Sequence, residues 1–409
     1  MTVSVNGLPS GVNGAVTVAG PGGYTATVTA TTTLSGLTAG SYTVTAAPTR
    51  STAPVVDFAY TVAGGGGAVS VSAGTTSTTS VTYALLPGSG KLWIVDTQAG
   101  IDGFTNSQLT GSGGAITPAV QVKTGGTPQG GLALDAAGDL WLGVSGHLYE
   151  YTPSQLVSTA TPPPAVTINN DNNTDLSLIR PLDLAFDPQG DLWVSNCNGN
   201  IEMFTPSQLA VDNSSPTPNA EITSVSCAVG MTFDTQGDLW FSEPQAAPPA
   251  IAEFTAAQLT TAAGNVSSPS PHVVLTSTSF TSSTSNTPAG IAFDGGGNLW
   301  VANSSAAGSS DAALWMFPTS QIVSSGTATI TPSVVLKDDG SGDLTPAYYL
   351  AFDNSGDLWV SSQELAEFAP TDLQSSGSPS PTVAITIVAS PGTQGAFPEI
   401  ALDPPPATP

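Results

Sequence analysis

One short phrase returns along the chain and limits what it can fold into. It is clearest at 184–196 (LAFDPQGDLWVSN) and recurs at 132–143, 231–243, 291–303 and 350–362. A worn copy, GKLWIVD, sits at 90–96, and a half copy, IALD, closes the series at 400–403. Each copy reads as a β-hairpin: an apolar run ending in Asp, a turn with Gly, a polar residue, and Leu-Trp opening a second apolar run. Asp bonds backbone amides inside such turns, and Gly takes the positive φ that they require. The tryptophans at 93, 141, 193, 240, 300 and 359 are spaced by 48, 52, 47, 60 and 59 residues. Repeats of about 40–50 residues with several short strands each are the mark of a propeller.

A second phrase follows the third strand of each unit: FTNSQL at 104–109, YTPSQL at 151–156, FTPSQL at 204–209 and FTAAQL at 254–259. Thr followed three residues later by Gln is a capping box, and Pro fits the first helical position, so a single helical turn is predicted. FPTSQI (317–322) and FAPTDL (368–373) are variants with poorer caps. Pro-rich spacers then lead into an outermost strand, where Pro is tolerated because an edge need not donate to the ladder. Six Leu-Trp hairpins imply six blades. The first lacks a good innermost strand, and 397–403 (FPEIALD) matches the start of a repeat with nothing after it. The C-terminal strand is therefore expected to complete blade one and close the ring, leaving no open edge.

Residues 1–86 differ. Seven short runs, such as AVTVAG, YTATVTA and SYTVTAA, alternate apolar and small polar residues between Gly, Pro and Asn, which predicts a β-sandwich. The expected organisation is all-β: a sandwich at 1–86, a six-bladed propeller at 87–403 and a Pro-rich tail at 404–409.

The net charge is −25, and only one acid (Asp57) and one base (Arg50) fall within 1–86, so the excess lies in the repeats. Such a field repels a phosphate backbone, arguing against nucleic-acid partners and anionic membrane surfaces. No apolar run reaches the roughly 18 residues of a membrane span. Met1-Thr2-Val3 leads straight into strand pattern, so any export signal is expected to have been removed. An acidic surface rich in Ser, Thr and Gly suits an extracellular or cell-surface setting.

The pattern P-x-G-[IL]-A-F-D-x-x-G-[DN]-L-W-V-[AS]-N, as at 288–303, resembles the NHL-repeat propellers. It also resembles the six-bladed group of virginiamycin B lyase and the gluconolactonase-like hydrolases. The likeness covers about 90–403. In the N-terminal region, 37–47 (LTAGSYTVTAA) resembles a strand of prealbumin-like, carboxypeptidase-regulatory-like modules, which implies a spacer or stalk. The propeller resemblance implies a fold that hosts binders and enzymes alike.

The repeated tryptophans read as core between blades, the alternative being a sugar-binding set. Asp135, Asp187, Asp234, Asp294, Asp353 and Asp403 read as turn stabilisers rather than metal ligands. The face where first strands start and second strands end would carry Asp96, Asn196, Glu243, Asn303 and Ser362. Asp183 and Glu399 stand at the channel mouth, where other copies have Gly (Gly130, Gly230, Gly290). Gluconolactonase-like propellers hold a divalent cation in this region, so the resemblance implies Asp183, Glu399, Asn196 and Asn303 as a candidate calcium set. The competing reading makes them solvated rim polars. Asp338, Asp339 and Asp343 lie in an acidic loop without EF-hand spacing and are expected to be flexible. The lyase reading needs a His base near the channel. His147 is expected to begin a third strand and His272 an outermost one, away from it. Cys197 and Cys227 fall on one face of adjacent blades and are candidates for a disulfide.

These readings favour a non-enzymatic binding or assembly protein that meets a protein or glycan partner, or copies of itself, through the loop-rich face. The alternative is a calcium-dependent hydrolase or lyase acting at the channel mouth.

Overall fold

A computed structural model describes residues 1–51, 57–96, 100–110, 114, 116–169, 180–196, 199–212, 217–281, 287–304, 311–362, 364–386 and 399–403. The described chain is almost entirely β, in eight sheets. Two lie in the N-terminal region. One orders Thr32–Thr33, Thr2–Asn6, Thr78–Leu85, Ala59–Gly65 and Thr49–Arg50; the other orders Tyr24–Val28, Ala15–Gly20, Gly40–Ala47 and Gly67–Val71. Their alternating residues share one buried cluster, including Val3, Val16, Val18, Tyr42, Val44, Val81 and Tyr83.

The other six sheets succeed one another from Lys91 to Asp403, and are numbered one to six by their strands beginning at Lys91, Pro128, Pro181, Met231, Pro288 and Leu350. In the third, Pro181–Phe186, Leu192–Asn196, Asn200–Phe204 and Ala220–Ile222 run antiparallel from the inside outward. The innermost strand of each sheet packs on the innermost strand of the next. After the sixth comes Ile400–Asp403, which pairs antiparallel with Lys91–Asp96, setting Lys91 opposite Asp403 and Ile94 opposite Ile400. The repeats thus form a closed β-propeller ring, with the last described strand serving as innermost strand of the first sheet.

The repeat phrase is legible atom by atom. In the third sheet's hairpin, Asp187 Oδ1 accepts from Gln189 N and Asp191 N at 2.9 Å, and Oδ2 accepts from Trp193 Nε1 at 3.0 Å. Asp234 with Trp240, Asp294 with Trp300 and Asp353 with Trp359 repeat this bond. These four tryptophans are therefore core side chains whose one polar atom is satisfied by the turn six residues earlier. Removing that carboxylate leaves two turn amides and a buried indole N–H unpaired. Asp187→Ala is expected to destabilise by about 2–4 kcal/mol, read by chemical denaturation. In a Trp193→Phe background the loss should shrink, because the indole no longer depends on the carboxylate.

The capping boxes form at Thr152–Gln155, Thr205–Gln208 and Thr255–Gln258. The glutamines also reach forward. Nε2 of Gln108, Gln155, Gln208, Gln258 and Gln321 donates to the carbonyls of Thr117, Pro163, Thr217, Ser270 and Thr331. Each such bond fastens the helical turn to the start of its own outer strand.

The outer edges are not bare, contrary to expectation. The segment between third and fourth strands reaches back to the preceding sheet. Asn265–Ser267 adds a parallel strand to sheet three, and Gly326–Thr329 adds one to sheet four. Shorter bridges join Ala160 to Val122 and Gly377 to Leu336. Thr167 N bonds Asp212 Oδ1, and Thr386 N bonds Gly114 O, at the two remaining junctions. Pro in the spacers is compatible with this because neighbouring residues make the pairing.

The N-terminal region meets the ring at its hairpin-turn end. Asn354 Nδ2 donates to Asp57 Oδ2 at 2.9 Å. A cleft of about 690 Å³ lies between residues 48–50 and 59–61 and the turns of sheets two and three.

Candidate functional site at the ring axis

The residue just before the apolar run of each innermost strand faces the axis. In chain order these are Gly131, one residue on from the expected Gly130, then Asp183, Gly230, Gly290, Tyr349 and Glu399. Three are glycines because the strands approach closely: a Cβ on Gly230 would lie 2.6 Å from Ala289 O, and one on Gly290 2.5 Å from Tyr348 O. The other three fill the centre, and all are buried.

Asp183 and Glu399 bond to each other. Glu399 Oε2 accepts from Leu132 N, and Asp183 Oδ2 from Met231 N, each at 2.5 Å. Tyr349 donates its hydroxyl to Leu182 O at 2.6 Å and Val229 O at 3.2 Å. Burial pushes the Glu399 carboxyl well above its ordinary range, and the neighbouring Asp183 pushes it further. Burial also raises Asp183, to about 7, against the opposing pull of its bonds to Glu399, Met231 and Leu184. Asp183 Oδ1 receives no ordinary N–H or O–H donor. A proton on Glu399 would supply one, and the burial of both carboxyls favours keeping it between them.

The remaining candidates go elsewhere. Asn196 is fully buried, and neither side-chain polar atom has a hydrogen-bond partner among the described residues. Asn303 Oδ1 accepts from Thr287 N at 2.9 Å. Glu243 Oε1 accepts from Ser226 N at 2.7 Å and from the Ser226 hydroxyl at 3.2 Å. Ser362 donates to Asp343 O. Asp96 is buried as well. None is a solvated rim group. Glu243, Asn303 and Ser362 latch the loop entering their own sheet to the end of its second strand. The candidate calcium set is thus divided: Asp183 and Glu399 meet, Asn303 is engaged by its own entry loop, and Asn196 bonds to none of them.

Among the described residues, the acidic group whose oxygens come within 4.8 Å of one another is Asp353, Asp357 and Glu367, in sheet six. Two Asp353 oxygens are already taken by Ser355 N, Asp357 N and Trp359 Nε1. The loop at 337–345 is folded about one carboxylate. Asp338 accepts from Gly340 N, Gly342 N, Leu344 N and Thr345 Oγ1. These bonds hold its carboxyl below the ordinary range despite burial.

His147 opens the third strand of sheet two and stacks on Tyr149. His272 precedes the outer strand Val273–Thr276 and bonds Ser324 O through Nε2 at 3.0 Å. Cys227 is disulfide-bonded; Cys197, the other half of the expected pair, lies outside the described residues. Tyr349 was missed by the sequence reading, although it breaks the repeat at the same position as Asp183 and Glu399.

No protein-family model matches the chain, and no curated protein matches it. It is similar to solved structures at low identity. Virginiamycin B lyase from Staphylococcus aureus is 15% identical over 74% of this chain and 80% of that one, with a TM-score of 0.36. A gluconolactonase from Xanthomonas campestris is 13% identical over 66% and 78%, with a TM-score of 0.39. A chain of a nidogen/laminin complex is 12% identical over 76% and 98%, with a TM-score of 0.45.

Proposed function

We propose that this chain is a non-enzymatic extracellular or cell-surface protein whose propeller binds a protein or glycan partner, or further copies of itself, through the loop-rich face. One observation carries the reading. Asp183 and Glu399, the carboxyls best placed for chemistry at the axis, are bonded to each other and to backbone amides of neighbouring sheets. A hard divalent cation needs about 6–8 oxygen ligands, and it would have to displace these bonds and any proton held between the pair. The position of the N-terminal region supports the same reading, because its contacts among the described residues fall at the hairpin-turn end.

The test is a lactone-hydrolysis assay with calcium or with a chelator, on the protein and on Glu399→Gln. The expected result is no calcium-dependent turnover and the same melting temperature in both additives. Calcium-dependent turnover that Glu399→Gln abolishes would overturn the proposal. The binding half is checked by sedimentation over a concentration series and by a glycan array. A monomer at every concentration that retains no glycan and no protein counts against it.

A further inference from the structure

A cleft of about 640 Å³ opens between sheets four and five, away from the axis. Its apolar wall is Phe233, Trp240, Phe293, Ile322 and Val323. Trp240 and Phe293 meet edge to face at 5.6 Å. Its polar wall holds Asp234, Asp238, Glu253 and His272. This is the size and mixed lining of a small-molecule site.

The polar groups are unequally engaged. Asp234 is consumed by Gln236 N, Asp238 N and Trp240 Nε1. Asp238 Oδ1 accepts from Ala256 N at 2.7 Å. His272 is turned to Ser324 O. Glu253 is 3% exposed and lines the cleft, and among the described residues it is set beside Asp238, Asp234 and His272 by charge alone. A carboxylate whose side chain is largely removed from water, with further carboxylates beside it, favours an incoming cation. Sheet two places Glu150 at the equivalent position, and there the carboxyl bonds Asp139. Glu253 lacks that arrangement.

We propose that this cleft binds a small organic monocation, an ammonium head on an apolar body, with Glu253 as counter-ion and Trp240 and Phe293 as the aromatic wall. The Glu253 carboxylate favours one positive charge over a bare divalent ion, which needs many oxygens. The rings favour a cation carrying hydrocarbon, through both burial and cation–π attraction. Burial raises the Glu253 carboxyl to about 7, Asp238 and Asp234 adding to the rise and His272 opposing it. A bound cation therefore expels a proton near neutral pH.

The experiment is calorimetric titration with benzylammonium, benzyl alcohol and benzoate, in two buffers of different ionisation enthalpy. Expected results are one benzylammonium site with proton release at pH 7, and benzyl alcohol and benzoate binding at least tenfold more weakly. Glu253→Gln should weaken benzylammonium at least tenfold and abolish the proton release. Val323→Trp, which crowds the cleft with an uncharged ring and leaves the Glu253 carboxyl in the chain, should weaken benzylammonium at least tenfold and serves if Glu253→Gln fails to fold. Benzyl alcohol binding as tightly as benzylammonium, no benzylammonium binding at tens of millimolar, or unchanged affinity in a folded variant would overturn the proposal.

Discussion

Thermal unfolding is expected to occur at a higher temperature near pH 4.5 than near pH 8, the reverse of what salt-bridged carboxylates produce. The cause is the number of acids that folding buries, their loss of water outweighing whatever cation lies near them. Asp183, Asp403, Glu253 and Glu367 are all raised to about 7, chiefly by burial, and Glu399 stands well above its ordinary range. A group whose folded value is raised holds its proton more tightly in the folded chain. Its contribution is complete below the unfolded value and is lost as pH climbs through the folded one. The window is therefore about pH 4 to 7. Asp183 alone, moved from 3.8 to about 7, is worth on the order of 4 kcal/mol between the two limits. That corresponds to about 5 °C for a chain of this size. Asp338 and Asp339 act with the opposite sign, since hydrogen bonds lower both, but their contribution is lost only under more acid conditions. Differential scanning calorimetry across this range checks the claim. A melting temperature that is flat, or that rises with pH, would show that the axis carboxyls ionise freely in the folded ring. Asp183→Asn should flatten the slope if the axis pair is its main source.

Removing everything after residue 398 is expected to abolish cooperative unfolding altogether. Ile400, Ala401 and Leu402 are buried, Asp403 is 1% exposed, and Glu399 goes with them. Their loss strips the inner edge of sheet one and exposes Leu92 and Ile94, which pack with Ile400 and Leu402. It also takes the carboxyl partner from Asp183. Open edges beside apolar surface associate, so the truncated chain should elute as soluble aggregate and lose its near-ultraviolet circular dichroism. A synthetic peptide spanning 396–409 should restore a fraction of both. A monomeric truncated chain that melts cooperatively would mean that the ring does not depend on its closing strand.

Much of this architecture was written in local chemistry. The Asp-to-Trp interval is fixed by one turn and one indole bond, so a single-chain reading finds it. The half copy at 400–403 was legible because it had an apolar strand and no hairpin partner downstream. The axis was half legible. Asp183 and Glu399 declared themselves by replacing Gly, and Tyr349 carried the same signal unnoticed. What no local pattern could say was that the two acids would bond to each other, since that depends on which strands become neighbours. The same holds for Glu253, which reads as an ordinary polar residue of a third strand until the neighbouring sheet supplies Phe293 and Ile322. The backward pairing at 265–267 and 326–329 was hidden in segments that look like spacers. Their partners lie in another repeat, where hydrophobic period offers no guide.

The register of the closing strand also determines how the ring would answer traction. Lys91 begins its strand, Asp403 ends the other, and the two are directly opposed. Tension entering through the residues flanking these two would arrive at the same end of the pair. Antiparallel ladder bonds lie across the strand direction, so they would break in succession, like a zip, instead of sharing the load in shear. The seam that shuts the circle is then also the place where a modest pull would open it.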